Sequence, residues 1–188
     1  MNGLDLSRET DDIGRQFRSA MRRLAGGVSI ITAGKNDEIT GMTVTSLTSL
    51  SADPPRLLVN INRQASSFPL IERHGVFGVN ILGADQRDVA DRFSNGRLKG
   101  KQRFEAIAWS RGKSGVPLLG GALAAVECEV DEIIERYSHG MIVGRLIAVE
   151  LSRRLSGLVY WNSEYLEISH DIDLEVIADV GIPLSRVR

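Results

Sequence analysis

The chain has 188 residues, 43% hydrophobic and 25% charged, with 23 Lys and Arg against 24 Asp and Glu for a formal charge of -1. That composition supports one packed domain and excludes disorder throughout, and its neutrality argues against a charge-driven grip on nucleic acid. No apolar run reaches the roughly 18 residues of a membrane span, the N-terminus MNGLDLSRETDD is unlike a secretory signal, and the single Cys128 points to a reducing cytoplasm.

Residues 1–12 read as a flexible arm, residues 13–168 as one domain and residues 169–188 as a C-terminal tail or helix. Ile13, Phe17, Met21 and Leu24 form one stripe of a helix over 11–25, closed by Gly26-Gly27. The period then changes. Val28–Thr32 is β-branched, 34–37 is a turn, and Ile39–Leu50 reads as one long strand ended by Asp53-Pro54-Pro55. Arg56–Asn62 is a strand, 65–74 a short helix, Val76–Leu82 a strand and 84–93 a second short helix. Residues 94–103 are a basic, glycine-containing loop. Ala122–Val130 alternates, with Val126, Cys128 and Val130 on one face and Glu127, Glu129 and Asp131 on the other. Met141–Leu151 is another strand, and 158–168 a closing hairpin. With hairpin links and no strand–helix alternation, a mainly β, antiparallel barrel with peripheral helices is expected.

Several chemistries leave no trace. There is no GxGxxG, no phosphate-cradling glycine loop and no GxSxG elbow. His74, His139 and His170 stand too far apart for a zinc set, so no metal is expected. Cys128 reads as a buried, inert thiol rather than a nucleophile. Two polar clusters remain. Residues 40–51 (TGMTVTSLTSLS) carry seven hydroxyls in twelve positions. That is either simply a good strand or the polar wall of an uncharged heteroaromatic cofactor. Asn60, Asn62, Ser66 and Ser67 lie where a strand meets a helix, and they serve either a phosphate or ordinary capping.

In order, GMTVTSLTSLSADPPRLLVNINRQASSFPLI, FGVNILGADQRDVADRF, PLLGGALAAVECEV and YSHGMIVGRLIAVE resemble the short-chain flavin reductases. These have an FMN-binding split-barrel fold and are the reductase components of two-component flavin monooxygenases. The resemblance covers about residues 15–168. It implies a homodimer that moves hydride from NADH, less readily NADPH, to FAD or FMN. It also implies release of reduced flavin by diffusion to an oxygenase acting on an aromatic compound. Thr40, Gly41, Met42, Thr43, Thr45 and Ser46 would line the flavin ring. Asn60, Ile61 and Asn62 would follow its edge and ribityl chain. Ser66, Ser67 and Arg92, beside Phe93, would meet the phosphate. His139, Tyr160 and Trp161 would stand on the nicotinamide side, with Tyr165 in the same hairpin. The turn around His139 lacks the Gly and Asp of the family's Gly-Asp-His. Two other readings share the scaffold: a reductase that holds its flavin tightly for a corrinoid or ferric acceptor, and a non-enzymatic flavin- or haem-binding module.

Overall fold

A computed structural model describes residues 6–169, with side chains from Asp12 onward. Residues 1–5 of the expected arm and 170–188 of the expected tail lie outside the described residues. The elements are α1 (Leu6–Met21), β1 (Gly26–Gly27), β2 (Ser29–Lys35), β3 (Glu38–Val44), β4 (Leu47–Ala52), β5 (Pro55–Asn62), α2 (Phe68–His74), β6 (Val76–Ile81), α3 (Arg87–Ser94), β7 (Trp109–Arg111), β8 (Pro117–Leu119), β9 (Ala124–Arg136), β10 (His139–Leu151), β11 (Gly157–Trp161) and β12 (Glu164–Ile168). Single 3-10 turns at Ala84–Gln86 and Gly100–Phe104 join them.

Seven strands form one sheet in the order β3-β2-β6-β9-β10-β5-β4, every pair antiparallel. Its two edge strands, β3 and β4, are consecutive in sequence. The sheet must therefore curl until its edges meet at Thr45-Ser46, and the barrel expected from the hairpin pattern results. This also corrects the reading of Ile39–Leu50 as one strand: β3 pairs with β2, β4 pairs with β5, and the chain changes partners at Thr45-Ser46. Ser46 Oγ donates to the Asn60 carbonyl at 2.8 Å and ties that corner to β5.

Both faces of β2 are buried. Ile31 and Ala33 join Val59, Ile61, Phe77, Val79, Cys128 and Ile142 inside the barrel. Val28 and Ile30 join Leu82, Ala90, Phe93, Phe104 and Leu158 under the helical layer outside it. The β7–β8 hairpin, not anticipated from sequence, straps the outside. Asn80 holds it by accepting from the Leu119 amide at 2.7 Å, and Thr32 donates to the Pro117 carbonyl. Glu127 lies on the face of β9 opposite Cys128, yet it is only 2% exposed. It accepts hydrogen bonds from the Lys113 amide (2.7 Å), the Ser114 amide (2.8 Å) and the Ser114 hydroxyl (2.6 Å) of the β7–β8 loop.

Helix α1 starts at Leu6 rather than 11, since nothing between Leu6 and Asp12 breaks it. Its stripe meets nothing in the described chain: Ile13, Phe17, Met21 and Leu24 are 65%, 61%, 47% and 67% exposed. The β11–β12 hairpin holds the chain just beyond α1. Asn162 donates its amide to the Arg22 carbonyl at 2.8 Å, and Trp161 Nε1 donates to that of Arg23 at 3.1 Å. No helix among the described residues is long and apolar enough to cross a membrane.

Candidate active site

The outer edge of β3 is left unpaired by the sheet, and α3 lies against it. A glycine makes that approach possible. A Cβ on Gly41 would stand 2.7 Å from the Phe93 ring and 2.9 Å from the Ile31 carbonyl oxygen. Thr43 Oγ1 donates to the Ala90 carbonyl of α3 at 2.7 Å and fixes the spacing. Two clefts open along this seam. One, of about 470 Å³, lies between Thr43–Thr45, α3 (Arg87, Asp91, Ser94) and the β11–β12 hairpin (Tyr160, Ser163, Glu164, Tyr165). The other, of about 410 Å³, is lined by Gly41–Thr43, Gln64–Ser66, Phe93, Ser94, Lys99 and Arg103. Thr43 and Ser94 line both, so the two form one groove.

The sequence candidates divide by what their side chains already do. Met42 and Phe93 give the groove apolar wall. Phe93 is nearly buried and packs edge-on against Phe104 at 5.1 Å between centroids. Thr43 and Ser46 commit their hydroxyl protons to the Ala90 and Asn60 carbonyls, so toward a ligand they can only accept. Thr45 is the exposed hydroxyl of the rim. Thr40 is buried and shares a 3.1 Å hydrogen bond with Ser66. Of the two serines, Ser66 lines the groove, whereas Ser67 is 1% exposed and donates to Met42 Sδ at 3.2 Å. Ile61 points into the barrel core, leaving only its backbone for a ligand. Asn62 Oδ1 is taken by the Gln64 amide at 2.9 Å.

Arg92 is placed differently from the reading that paired it with Ser66 and Ser67. Its Nε donates to the Arg103 carbonyl at 2.9 Å and its Nη2 to that of Gln102 at 2.7 Å, with the Glu105 carboxylate 3.6 Å away. The cations lining the smaller cleft are Lys99 and Arg103, and Arg87 lines the larger one. Arg103 is 8% exposed, its Nε has no acceptor, and burial pushes its guanidinium below the ordinary arginine value. The basic character of 94–103 was legible in the sequence. Which of its cations faces inward depends on the 3-10 turn at Gly100–Phe104, which the sequence did not announce.

The nicotinamide-side candidates do not converge within one chain. Tyr160 lines the larger cleft, its ring 5.2 Å from that of Tyr165. The Arg87 guanidinium stands 5.8 Å over the Tyr165 ring. Burial first, and then the Asp91 charge, raise the Tyr165 phenol, so it stays protonated through neutral pH. Trp161 directs its indole N–H to the Arg23 carbonyl, just beyond α1. His139 lies at the tip of the β9–β10 hairpin, opposite Asn62 in register, exposed, with Nδ1 2.9 Å from the Ser138 hydroxyl. It lines neither cleft. Arg87, Asp91 and Ser94 were missed as candidates; the only signal was their i, i+4, i+7 spacing on one face of a short helix.

Apolar wall, hydroxyl rim and, at one end, a buried arginine with no carboxylate partner among the described residues fit a flat aromatic group with an anionic tail, as FMN and FAD are. Residues 21–169 match the family model described as a flavin reductase like domain. The chain is 35% identical over 157 residues to the FMN reductase (NADH) RutF of Stutzerimonas stutzeri, spanning 84% of this chain and 90% of that protein. It is 34% identical over 161 residues to the reductase component of the FADH(2)-dependent resorcinol hydroxylase of a Rhizobium species, spanning 85% and 89%. The solved NADH:FAD oxidoreductase SgcE6 of Streptomyces globisporus, in complex with NAD and FAD fragments, superposes with a TM-score of 0.77 at 27% identity over 84% of this chain and 94% of that one. An antiparallel barrel split along the β3 seam, with a groove of this lining and a family match over most of its length, places the protein: it belongs to the flavin reductase-like domain family.

Proposed function

We propose that this flavin reductase passes hydride from NADH to FMN or FAD in the β3–α3 groove and releases the reduced flavin to an oxygenase acting on an aromatic compound. The observation that carries the reading is the continuous groove, with aromatic rings at one end and a cationic pocket at the other. The relatives named as an NADH-dependent FMN reductase and as a hydroxylase's reductase component support it.

The bound flavin supplies the hydride-accepting chemistry. The chain's own residues bind and orient. Met42 and Phe93 form the apolar wall and keep water from that face. Thr43 and Ser46 accept hydrogen bonds at the flavin's polar edge, and Thr45 donates or accepts at the rim. Tyr160 and Tyr165 flank the space where a nicotinamide would lie, and Tyr165, held protonated, can only donate or accept a hydrogen bond there. Asp91 and Glu164 set two carboxylates beside one guanidinium, Arg87, in this cleft. That balance favours NADH over NADPH, whose extra phosphate would meet net negative charge. Asn60, Asn62, Ser66 and the backbone of Ile61 complete the flavin's bed. We keep His139 as a contact to the nicotinamide side only within a dimer, because one chain holds it apart from Tyr160.

The dimer is part of the proposal. It rests on the bare α1 stripe and on an apolar cleft of about 310 Å³ at the barrel mouth, lined by Leu47, Pro55, Leu57, Ile81, Val126 and Leu146 among others. We also place the protein in a reducing cytoplasm, on the strength of its single buried thiol, and take residues 13–168 as the working unit.

The deciding experiment follows NADH loss by absorbance, adding FMN, FAD and riboflavin in turn and repeating with NADPH. Flavin-dependent NADH oxidation, with flavin lost on gel filtration, is expected. No NADH oxidation with any flavin would sink the reading, and a yellow cofactor retained on the column would replace flavin release with a tightly held prosthetic group.

A further inference from the structure

The groove continues past its cationic end. Gln64 lines the smaller cleft and also a third one, of about 480 Å³, bounded by Phe68, Pro69, Glu72, Glu135 and Tyr137 among others. This third cleft shares no lining residue with the one beside Tyr160 and Tyr165. Its floor is apolar. Phe68 is buried, and a Cβ on Gly140 would overlap its ring, so glycine lets β10 lie this close. The β9–β10 turn forms the wall. The Arg63 amide donates to the Ser138 carbonyl at 3.0 Å and fixes that turn against the end of β5.

Tyr137 is the unusual member. It is 97% exposed, so its ring packs on almost nothing, and it holds φ 54°, a left-handed angle that glycine adopts at less cost. It stands where the Gly-Asp-His turn of the resembled family has its glycine. The turn thus bears strain and presents a bare aromatic ring to the cleft, with no packing in return among the described residues. The rim is acidic. Glu135 pairs with Arg63 at 2.6 Å, and Glu72 has no cation within ion-pair distance among the described residues.

We propose that this third cleft takes the adenosine half of FAD, stacked on Tyr137, and so makes the protein prefer FAD to FMN. The proposal rests on the flavin-reductase reading above and chooses between the two flavins that reading allows.

A flat base gains affinity by stacking on an exposed aromatic ring held in place. Gln64 offers an amide that donates and accepts, and Glu72 a carboxylate that accepts, which suit the amine of an adenine and the hydroxyls of its ribose. The carboxylate excess at the rim repels phosphate, so the cleft suits an uncharged end of a ligand. From the aromatic cleft through the cationic one to Tyr137, the groove offers ring, phosphate and base positions in the order in which FAD carries them. FMN stops at its phosphate and has nothing to place beside Tyr137. NADH also carries an adenosine, but the third cleft opens off the cationic end and not off the cleft assigned to the nicotinamide.

The test equilibrates purified protein with FAD and with FMN by dialysis, with no NADH present, and compares the two dissociation constants. The unaltered protein is expected to bind FAD about tenfold more tightly. Tyr137→Gly should cut the FAD-to-FMN affinity ratio by about fivefold or more, the range for losing a base-stacking ring. It should also raise the thermal midpoint, since glycine relieves the turn. A tyrosine kept for the fold would instead lower the midpoint and leave the ratio unchanged, which overturns the proposal. Tyr137→Phe should keep most of the preference, because the ring remains. Glu72→Gln should cut the ratio by about threefold. Equal affinity of the unaltered protein for the two flavins overturns the assignment, as does a ratio in Tyr137→Gly within about twofold of the unaltered value. The KM for NADH, with FMN as acceptor, separates the two sources of adenosine. If Tyr137→Gly raises that KM and leaves the flavin ratio alone, the cleft belongs to NADH and the FAD assignment falls. Protein that prefers FAD through Tyr137 yet oxidises no NADH loses only the reductase reading. Protein that reduces both flavins with no preference for FAD loses only this one.

Discussion

Glu127 is buried on β9, and its charge survives because three donors from residues 113 and 114 face it. Burial alone would raise its pKa. The Ser114 hydroxyl and amide, the Lys113 amide and the Lys113 charge outweigh that and hold it below the ordinary value of 4.5. A carboxylate depressed in the folded state adds stability that is present above its unfolded pKa and is lost as pH falls through its folded value. Glu127→Gln should therefore cost about 2 kcal/mol near neutrality. Urea unfolding of both proteins should show that difference shrinking as pH falls below the ordinary carboxylate range. Cys128, its β9 neighbour, is fully buried, and burial first, then the Glu127 charge, push its thiol up to about 12. The folded protein should not react with a thiol reagent at neutral pH, whereas urea-unfolded protein should titrate one thiol per chain. At Gly41, an added methyl would drive Phe93 and α3 off β3. Gly41→Ala should cost ~1–3 kcal/mol by overpacking, seen as a lower thermal midpoint and weaker flavin binding together. Cys128 as a buried thiol was legible from period-2 alternation. Glu127 was not, because alternation reports which face a residue occupies and says nothing of what a distant loop places over that face.

Helix α1 is recognisable from its 3.6-residue period, yet period alone does not say what covers the stripe. Among the described residues of one chain nothing does, and the helix is attached at its C-terminal end through Trp161 and Asn162. Trp161→Phe removes the indole donor to Arg23 and should cost about 1 kcal/mol, read by chemical unfolding. If the stripe is the dimer seam, Phe17→Asp should shift the protein toward monomer in sedimentation velocity while the fold persists. Unchanged mass would place the seam elsewhere. The tight turns were partly readable. Asn36-Asp37 and Asn162-Ser163 are short links with a left-handed asparagine, at φ 55° and 49°, as two-residue hairpin turns favour. The β9–β10 turn uses Tyr137 at φ 54° instead, a residue with no such preference, and so its position followed only from the flanking strands. The β7–β8 strap was missed for a related reason. Its three-residue strands carry too little pattern, and Thr32, Asn80 and Glu127 hold it from strands far away in sequence.

For the molecule as a whole, the groove exists because the barrel closes imperfectly. β3 and β4 are forced together at Thr45-Ser46, which leaves the outer edge of β3 for α3, the 3-10 turn and the β11–β12 hairpin to cover. Aromatic rings, hydroxyls and cations thereby lie along one line from β12 to the Gly100–Phe104 turn. A nicotinamide needs no domain of its own in such a groove, in keeping with the missing dinucleotide fingerprint.

Hydrophobic periodicity and turn chemistry determined most of the strand and helix inventory, the antiparallel barrel and the hydroxyl-rich segment, since each depends on neighbours a few positions apart. The ordered motifs between Gly41 and Glu150 placed the chain among flavin reductases. The tertiary structure alone decided the partner switch at Thr45-Ser46, the burial of Glu127, the separation of His139 from Tyr160, and which of Arg92 and Arg103 lines the groove. Each of those turns on which groups from distant segments satisfy one another's hydrogen bonds once water is removed, a property of the assembled fold that no local pattern encodes.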